Sequence, residues 1–129
     1  MVFFLEMVPP TVTAQMHRVM VRNGRPMFYD SPRLKEARRV FLEALAPFRP
    51  GIPFTGPVSL TVRWFFPSKQ HRDGSWRVTR PDTDNLQKLL KDCMTEAGFW
   101  ADDAQVCMEH AEKRWTRVRP GIEITVESC

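Results

Sequence analysis

The sequence predicts an α+β fold, in which a mixed β-sheet carries two main helices within a single compact domain over residues 1–129. Short segments of alternating apolar and polar residues, typical of strands, lie towards both ends of the chain. Two longer segments with apolar residues at helical spacing lie between them. The chain has 129 residues, 43% of them hydrophobic and 26% charged, which is a composition typical of one globular domain.

The first thirty residues predict three strands. Residues 2–8 form an apolar segment that stops at Pro9, since proline cannot donate a hydrogen bond to a central strand. Residues 19–29 predict a β-hairpin, because Asn23 and Gly24 between apolar flanks favour the two-residue type I′ turn.

A helix follows the hairpin. Ser31 is a suitable N-cap, Pro32 suits the first turn, and Pro47 ends the pattern. The apolar residues at helical spacing are Leu34, Ala37, Phe41, Ala44 and Leu45. Residues 57–66 then alternate in the way of a half-buried strand.

The second half predicts a loop, a second helix and two strands. Residues 67–80 are polar and basic and predict a flexible loop. The second helix has apolar residues at positions i, i+3, i+4, i+7, i+8 and i+11 from Leu86, and Gly98 supplies its C-terminal cap. Residues 104–115 and 122–126 predict the last two strands.

Charge is distributed unevenly along the chain. The net charge is +4, but residues 81–103 hold two basic side chains against six acidic ones, a net charge of −4. Such a pattern suits a polyanion-binding surface that contains a cation-binding pocket. A solvated acidic helix end explains the charge equally well.

Asp82 and Asp84 lie at the start of the second helix, and Asp102 and Asp103 lie just beyond its end. Clustered carboxylates are the ligands that hard divalent cations such as Mg²⁺ prefer, and two or three of them suit a phosphodiesterase site. The helix separates the two pairs by ~20 Å. They can share a site only if the chain after Gly98 folds back along the helix.

Each of these residues also has an ordinary explanation. Asp84 with Gln87 resembles a capping box, and Asp102 with Asp103 resembles a polar turn. Lys88 lies four residues from both Asp84 and Asp92, so it either contacts a phosphate or forms a salt-bridge ladder on the helix surface.

The loop at 67–80 carries basic side chains and one tryptophan. Its candidate nucleic-acid contacts are Lys69, Arg72, Trp76, Arg77 and Arg80, to which Arg18 is added from the hairpin. The cations can bind phosphates, and Trp76 can stack on an unpaired base. Alternatively, the loop is a solvated hairpin with Trp76 folded onto the core.

No segment of the sequence is apolar for long enough to predict a membrane span, and the first apolar residues are too few for a signal peptide. The three cysteines form no C-x-x-C pair. We therefore expect a cytoplasmic protein without a thiolate zinc site or a disulfide framework.

The acidic segment resembles a known signature. The sequence R-P-D-T-D-N-L-Q-K at residues 80–88, then Asp92, then A-G-F-W-A-D-D-A-Q-V at 97–106 is similar to the motif of RusA-type endodeoxyribonucleases. The motif covers about 27 of the 129 residues. The chain departs from the family after Pro9 and Pro10, where an expected asparagine is missing.

The resemblance implies a homodimeric, Mg²⁺-dependent nuclease, with Mn²⁺ as a substitute, that resolves Holliday (four-way) junctions by paired symmetric nicking in DNA recombination and repair. It assigns the essential aspartates to Asp82, Asp84 and Asp103 and the essential lysine to Lys88. Asp102 is expected among the metal ligands, and Asp92 in a supporting role. Two other hypotheses stay open, namely a nuclease for other branched DNA and a catalytically silent module that binds DNA junctions.

Overall fold

The computed structural model describes residues 1–11, 17–22 and 25–129. In the strands at 17–22 and 25–30 it describes the backbone alone. The predicted Asn23–Gly24 turn therefore lies outside the described residues.

Strands and helices of the described residues follow in the predicted order, which confirms the α+β fold. Their bounds are Val2–Leu5 (β1), His17–Arg22 (β2), Arg25–Asp30 (β3), Pro32–Leu45 (α1), Val58–Pro67 (β4), Thr83–Ala97 (α2), Val106–Thr116 (β5) and Gly121–Ser128 (β6). The strand β1 is shorter than predicted and ends at Leu5 rather than at residue 8. The strand β5 starts two residues late, because a 3₁₀ turn, Asp103–Gln105, precedes it.

A four-stranded mixed sheet has the order β1-β6-β4-β5, and β2 pairs with β3 in a separate antiparallel hairpin. The strands β4 and β5 are parallel, with Val62 opposite Ala111. Parallel neighbours need a crossover connection, which α2 supplies. As a result α2 runs back along β5, which forms one edge of the sheet.

The core lies between the helices and one face of the sheet. Alternate residues of β4 from Val58 to Phe66 are fully buried, and Phe41 of α1 packs edge-on against Trp64 at 6.2 Å between ring centroids. The other face of β4 carries half-buried and exposed side chains such as Arg63. The two-layer arrangement follows from the period-2 alternation of the strand.

Both helices begin and end where the sequence predicts. The Ser31 hydroxyl accepts a hydrogen bond from the Leu34 amide at 3.2 Å and caps α1. The helix α2 ends at Gly98, whose φ of 93° is left-handed and therefore suits glycine. No helix among the described residues is long and apolar enough to cross a membrane.

Candidate functional site

The N-terminal end of α2 presents two exposed carboxylates. Asp82 occupies the N-cap position without a side-chain capping hydrogen bond, and Asp84 lies in the first turn. The partial positive charge of a helix N-terminus stabilises carboxylates there. The capping-box interpretation of Asp84 with Gln87 is wrong, because Asp82 holds the cap position and the Gln87 side chain is buried and bonded elsewhere.

Gln87 links the protein core to a carboxylate on β5. Its Oε1 accepts a hydrogen bond from the buried Trp64 indole at 2.7 Å, and its Nε2 donates to Glu109 at 2.7 Å. Lys91 also reaches Glu109, at 3.0 Å. The chain of contacts fixes α2 against β5 at the point where both border a shallow pocket. That pocket is lined by Thr83, Asp84, Gln87, Lys91, Glu109 and Ala111.

Sequence reasoning missed Glu109. The residue lies 22 positions from Gln87, and no local pattern pairs a helix residue with a strand residue at that separation. Its place in a predicted strand, facing the second helix across a parallel crossover, is the signal that would have raised it as a candidate.

Lys113 holds the segment that leads into α2. Its ammonium donates to the carbonyl oxygens of Thr79 and Pro81, both at 2.7 Å. Burial lowers the pKa of Lys113, the neighbouring charge of Arg77 lowers it further, and the Asp82 carboxylate acts in the opposite direction. Lys113 therefore positions the backbone immediately before Asp82 and contributes positive charge beside it.

Lys88 lies on the exposed side of α2. Its ammonium is 3.7 Å from Asp92, and 63% of its side chain is exposed. A surface ion pair at this distance contributes less than about 1 kcal/mol. Breaking this ion pair so that Lys88 can contact a phosphate would therefore cost little free energy.

The second acidic pair lies beyond the C-terminal end of α2, where Asp102 has a structural role. Its Oδ1 accepts from the Ala104 amide at 2.9 Å, and the Gln105 side chain accepts in return from the amides of Ala101 and Asp102. This capping box forms the 3₁₀ turn. The alternative of a structured turn is thus correct for Asp102, whereas Asp103 is half-buried within that turn.

A second shallow pocket adjoins this turn, lined by Arg38, Asp92, Thr95, Glu96, Ala101, Asp102 and Asp103. Arg38 pairs with Glu96 at 3.3 Å. The pocket is therefore acidic with one cation at its border.

One chain does not bring the two acidic pairs together. The chain does fold back along α2, but β5 begins beside the C-terminal end of the helix, so Glu109 and Lys113 reach the N-terminal half and Asp103 does not. Fifteen helical residues span about 22 Å. The expectation that the returning strand places Asp103 beside Asp82 and Asp84 is thus corrected for a single chain.

A divalent cation needs several oxygen ligands at one point. Within the described part of one chain, no group of three or more His, Cys, Asp or Glu side chains is placed to hold a metal ion. Asp82 and Asp84 supply two carboxylates at the N-terminal end of α2, which is a partial set of oxygen ligands for a hard cation such as Mg²⁺.

The loop at 67–80 is hydrogen-bonded to the edge strand. The amide of Gly74 donates to the Trp115 carbonyl, and the amide of Trp115 donates to the Ser75 carbonyl, both at 2.8 Å. The predicted flexibility of the loop stays a prediction. Trp76 is 59% exposed, so the alternative in which its ring is folded onto the core is wrong.

The basic residues of the loop fall into two groups. Lys69, Arg72 and Arg80 are exposed, whereas the Arg77 guanidinium packs at 4.3 Å and 4.5 Å from the ring centroids of Phe66 and Trp115. Arg77 thus has a packing role that the sequence did not indicate. The side chain of Arg18 lies outside what the structure describes.

The family model of endodeoxyribonuclease RusA matches residues 8–127 of this chain. The chain belongs to the RusA family. It is 41% identical over 58 residues to the crossover junction endodeoxyribonuclease of Lactococcus phage r1t, covering 44% of each protein. To the RusA proteins of Escherichia coli K12 and of Enterobacteria phage 82 it is 42% identical over 50 residues, 39% of this chain and 34% of theirs. The chain therefore spans less than half the length of these curated relatives.

Proposed function

We propose that this RusA-family chain is a metal-dependent endodeoxyribonuclease that resolves four-way DNA junctions by paired symmetric nicking. The observation that carries the proposal is the helix start at Asp82 and Asp84. Both carboxylates are exposed there, Asp82 makes no capping hydrogen bond, and Lys88 lies one turn further along. A relative named as a crossover junction endodeoxyribonuclease supports the substrate class.

The proposal includes a divalent cation, Mg²⁺ or in its place Mn²⁺, which when bound supplies a charge that stabilises the phosphate oxygens and activates a water. The described part of one chain offers no third ligand beside Asp82 and Asp84, so in this proposal a second copy supplies the third carboxylate.

In this proposal a symmetric dimer brings the two separated acidic pairs together. The acidic pairs lie at opposite ends of α2. A two-fold axis that passes through the middle of the exposed side of α2 pairs the helix with the α2 of the partner in antiparallel orientation, so the N-terminal end of each helix lies beside the C-terminal end of the other. Asp82 and Asp84 of one protomer then face the partner's Asp103. Asp102, whose Oδ1 is already used by the Ala104 amide, supports the turn that presents Asp103. Such a dimer carries two equivalent sites, which is what paired nicking requires.

The cationic side chains have separate tasks in this proposal. Lys88 contacts the scissile phosphate and offsets the negative charge that develops there, while Asp92 holds the lysine. Lys69, Arg72 and Arg80 bind flanking phosphates, which makes the affinity depend on salt. Arg77 keeps the loop against the sheet.

The test is cleavage of a synthetic four-way junction with Mg²⁺, with Mn²⁺ and without metal. Asp82→Asn should abolish nicking and leave junction binding intact. Glu127→Gln, which removes an exposed carboxylate from the far end of β6, is the matched control and should cut like the wild type. Equal cutting by wild type and Asp82→Asn would contradict the proposal.

Two outcomes of the same assay would favour the other hypotheses. Faster cutting of flapped DNA than of the junction would make the protein a nuclease for other branched DNA. Junction binding without turnover under any metal or pH would identify a catalytically silent binding module.

A further inference from the structure

Trp76 is a large apolar side chain that the fold holds in an exposed position. It is 59% exposed, yet its backbone is fixed, because residue 76 forms an antiparallel bridge with Arg114 on the edge strand. The hydrogen bonds on either side, from Trp115 to the Ser75 carbonyl at 2.8 Å and from Arg77 to the Lys113 carbonyl at 3.0 Å, fix it further. The indole is therefore exposed to solvent on a backbone that hydrogen bonds hold in place.

A guanidinium covers one face of the indole. The Arg114 guanidinium carbon lies 3.7 Å from the ring centroid. Arg114 is itself held by hydrogen bonds to Glu112 at 2.8 Å and to the Gly74 carbonyl at 2.9 Å. Both halves of the stack are therefore ordered before any ligand arrives, which lowers the entropic cost of binding.

Arg114 is the one stacking partner of the Trp76 ring among the described residues, and 59% of Trp76 is exposed, so the opposite face of the indole is open to a ligand. A cation–π pair on its own explains Arg114, but not why the ring is left exposed. A flat aromatic or heteroaromatic ligand would cover that second face.

The charge around Trp76 favours a nucleic acid over a protein surface or a lipid. Lys69, Arg72, Arg80 and Arg117 are exposed cations of the loop and of the adjoining turn. The acidic residue of the loop, Asp73, already accepts a hydrogen bond from the Arg117 amide at 2.8 Å. A phosphate backbone is drawn to such a surface, and its bases are the π-faces that an exposed tryptophan binds.

We propose that Trp76 and Arg114 form a stacking platform for an unpaired nucleobase of branched DNA. For its substrate the inference rests on the proposed function, which it deepens by naming what distinguishes a branch from continuous duplex. In a duplex each base is stacked on both sides and only phosphates are offered, whereas a branch point can free a base. The platform would thus favour junctions over duplex.

The platform lies close enough to the Asp82 carboxylate to bind a base at the same branch point where the strand is cut. Trp76 precedes Asp82 by six positions, so the α-carbons of the two residues are at most about 22 Å apart. That distance corresponds to about six stacked nucleotides of one strand. The captured base should therefore lie within about six nucleotides of the nicked phosphate.

The experiment measures the affinity of the full chain for two fluorescent oligonucleotides of equal length, one of thymidines and one of abasic sites. Both carry the same phosphates, so the difference reports base stacking alone. Wild type should bind the thymidine strand about 10- to 100-fold more tightly. Trp76→Ala should lose that preference and Trp76→Phe should keep part of it. Val78→Ala, which alters a 90% exposed apolar residue of the same loop, should leave it unchanged.

Two results would overturn the platform. Wild type could bind both strands equally, or Trp76→Ala could weaken both to the same degree while melting like the wild type. The outcome is separable from the nuclease proposal. A chain that never cuts junctions but loses its base preference in Trp76→Ala supports the platform alone. A chain that cuts junctions without any base preference retains the nuclease and refutes the platform.

Discussion

The two ends of α2 carry similar acidic pairs that the fold uses differently. At the N-terminal end, Asp82 occupies the cap position with no capping bond from its side chain, and Asp84 is exposed beside it. At the C-terminal end, Asp102 closes a capping box and Asp103 is half-buried behind it. The first pair is free for chemistry, whereas one member of the second is already committed to structure.

The difference shows that an acidic motif read as one unit can contain two kinds of aspartate. It also shows that the motif is divided in space, since about 22 Å of helix separates the pairs. We infer that a second subunit brings the two kinds of aspartate together. The following substitutions test the difference between the two ends of α2, from the largest expected effect to the smallest.

Asp84→Asn and Asp102→Asn should have contrasting effects. Under our proposal Asp84→Asn removes a carboxylate that nothing in the described structure uses, and nicking should fall by about 10³-fold while the melting temperature holds. Asp102→Asn keeps a capping acceptor and should reduce nicking by less than about 10-fold. Single-turnover rates on a junction measure both, and equal losses would erase the distinction between the pairs.

Glu109→Ala should reduce the rate of nicking, which depends on the residues at the N-terminal end of α2, without weakening DNA binding. The change releases Gln87 and Lys91, so α2 is less firmly oriented over β5. Groups that orient a reactive ligand contribute about 10- to 100-fold, and the freed amide should cost about 1 kcal/mol of unfolding free energy.

Its control is Glu123→Ala, which removes a strand carboxylate paired with Arg63 at 2.8 Å on the open sheet face. A fall in the cleavage rate of Glu109→Ala no greater than that of Glu123→Ala would reduce Glu109 to an ordinary surface residue.

Arg72→Gln and Arg77→Gln separate DNA contact from packing within the basic loop. Arg72 is exposed, so its loss should lower the slope of log affinity against log salt by about one. Arg77 packs on two aromatic rings, so its loss should cost about 1 kcal/mol of stability and leave the slope nearly unchanged. Salt titrations of junction binding, with urea melts, decide the matter. The reverse pattern would return Arg77 to the DNA contacts.

The smallest effect concerns stability in acid. A hydrogen bond with His110, followed by those from Arg114 and Arg63, lowers the pKa of Glu112 from 4.5 to about 2. Its contribution to stability is thus complete above pH 4.5 and is lost as the pH falls towards 2. Glu112→Gln should lose less stability than the wild type between pH 5 and pH 3 in urea melts, and parallel losses would contradict this.

The order of elements could be predicted from the sequence because its signals are local. The Ser31 cap, the Gly98 stop and the alternation in β4 each depend on residues a few positions apart. Asp82 and Asp84 were found for the same reason. The hydrogen bonds of Gln87 could not be predicted, since its partners Trp64 and Glu109 are more than twenty positions away.

The separation of the two acidic pairs also escaped sequence reasoning, for a physical reason. A fold-back along a helix can return to either end, depending on where the next strand begins. The capping box of Asp102 and Gln105 ends the connection at once and starts β5 beside the C-terminal end. A short polar sequence thus determines at which end of α2 Asp103 lies.

The most direct test of a site shared between subunits is complementation of two inactive variants. In a mixed dimer of Asp82→Asn and Asp103→Asn, one site carries both changes and the other carries neither. Mixing the variants under conditions that exchange subunits should therefore restore about a quarter of the wild-type nicking, on one strand of each junction. If the mixture stays as inactive as either variant alone while mixed dimers form, the aspartates act within one chain and the account is wrong.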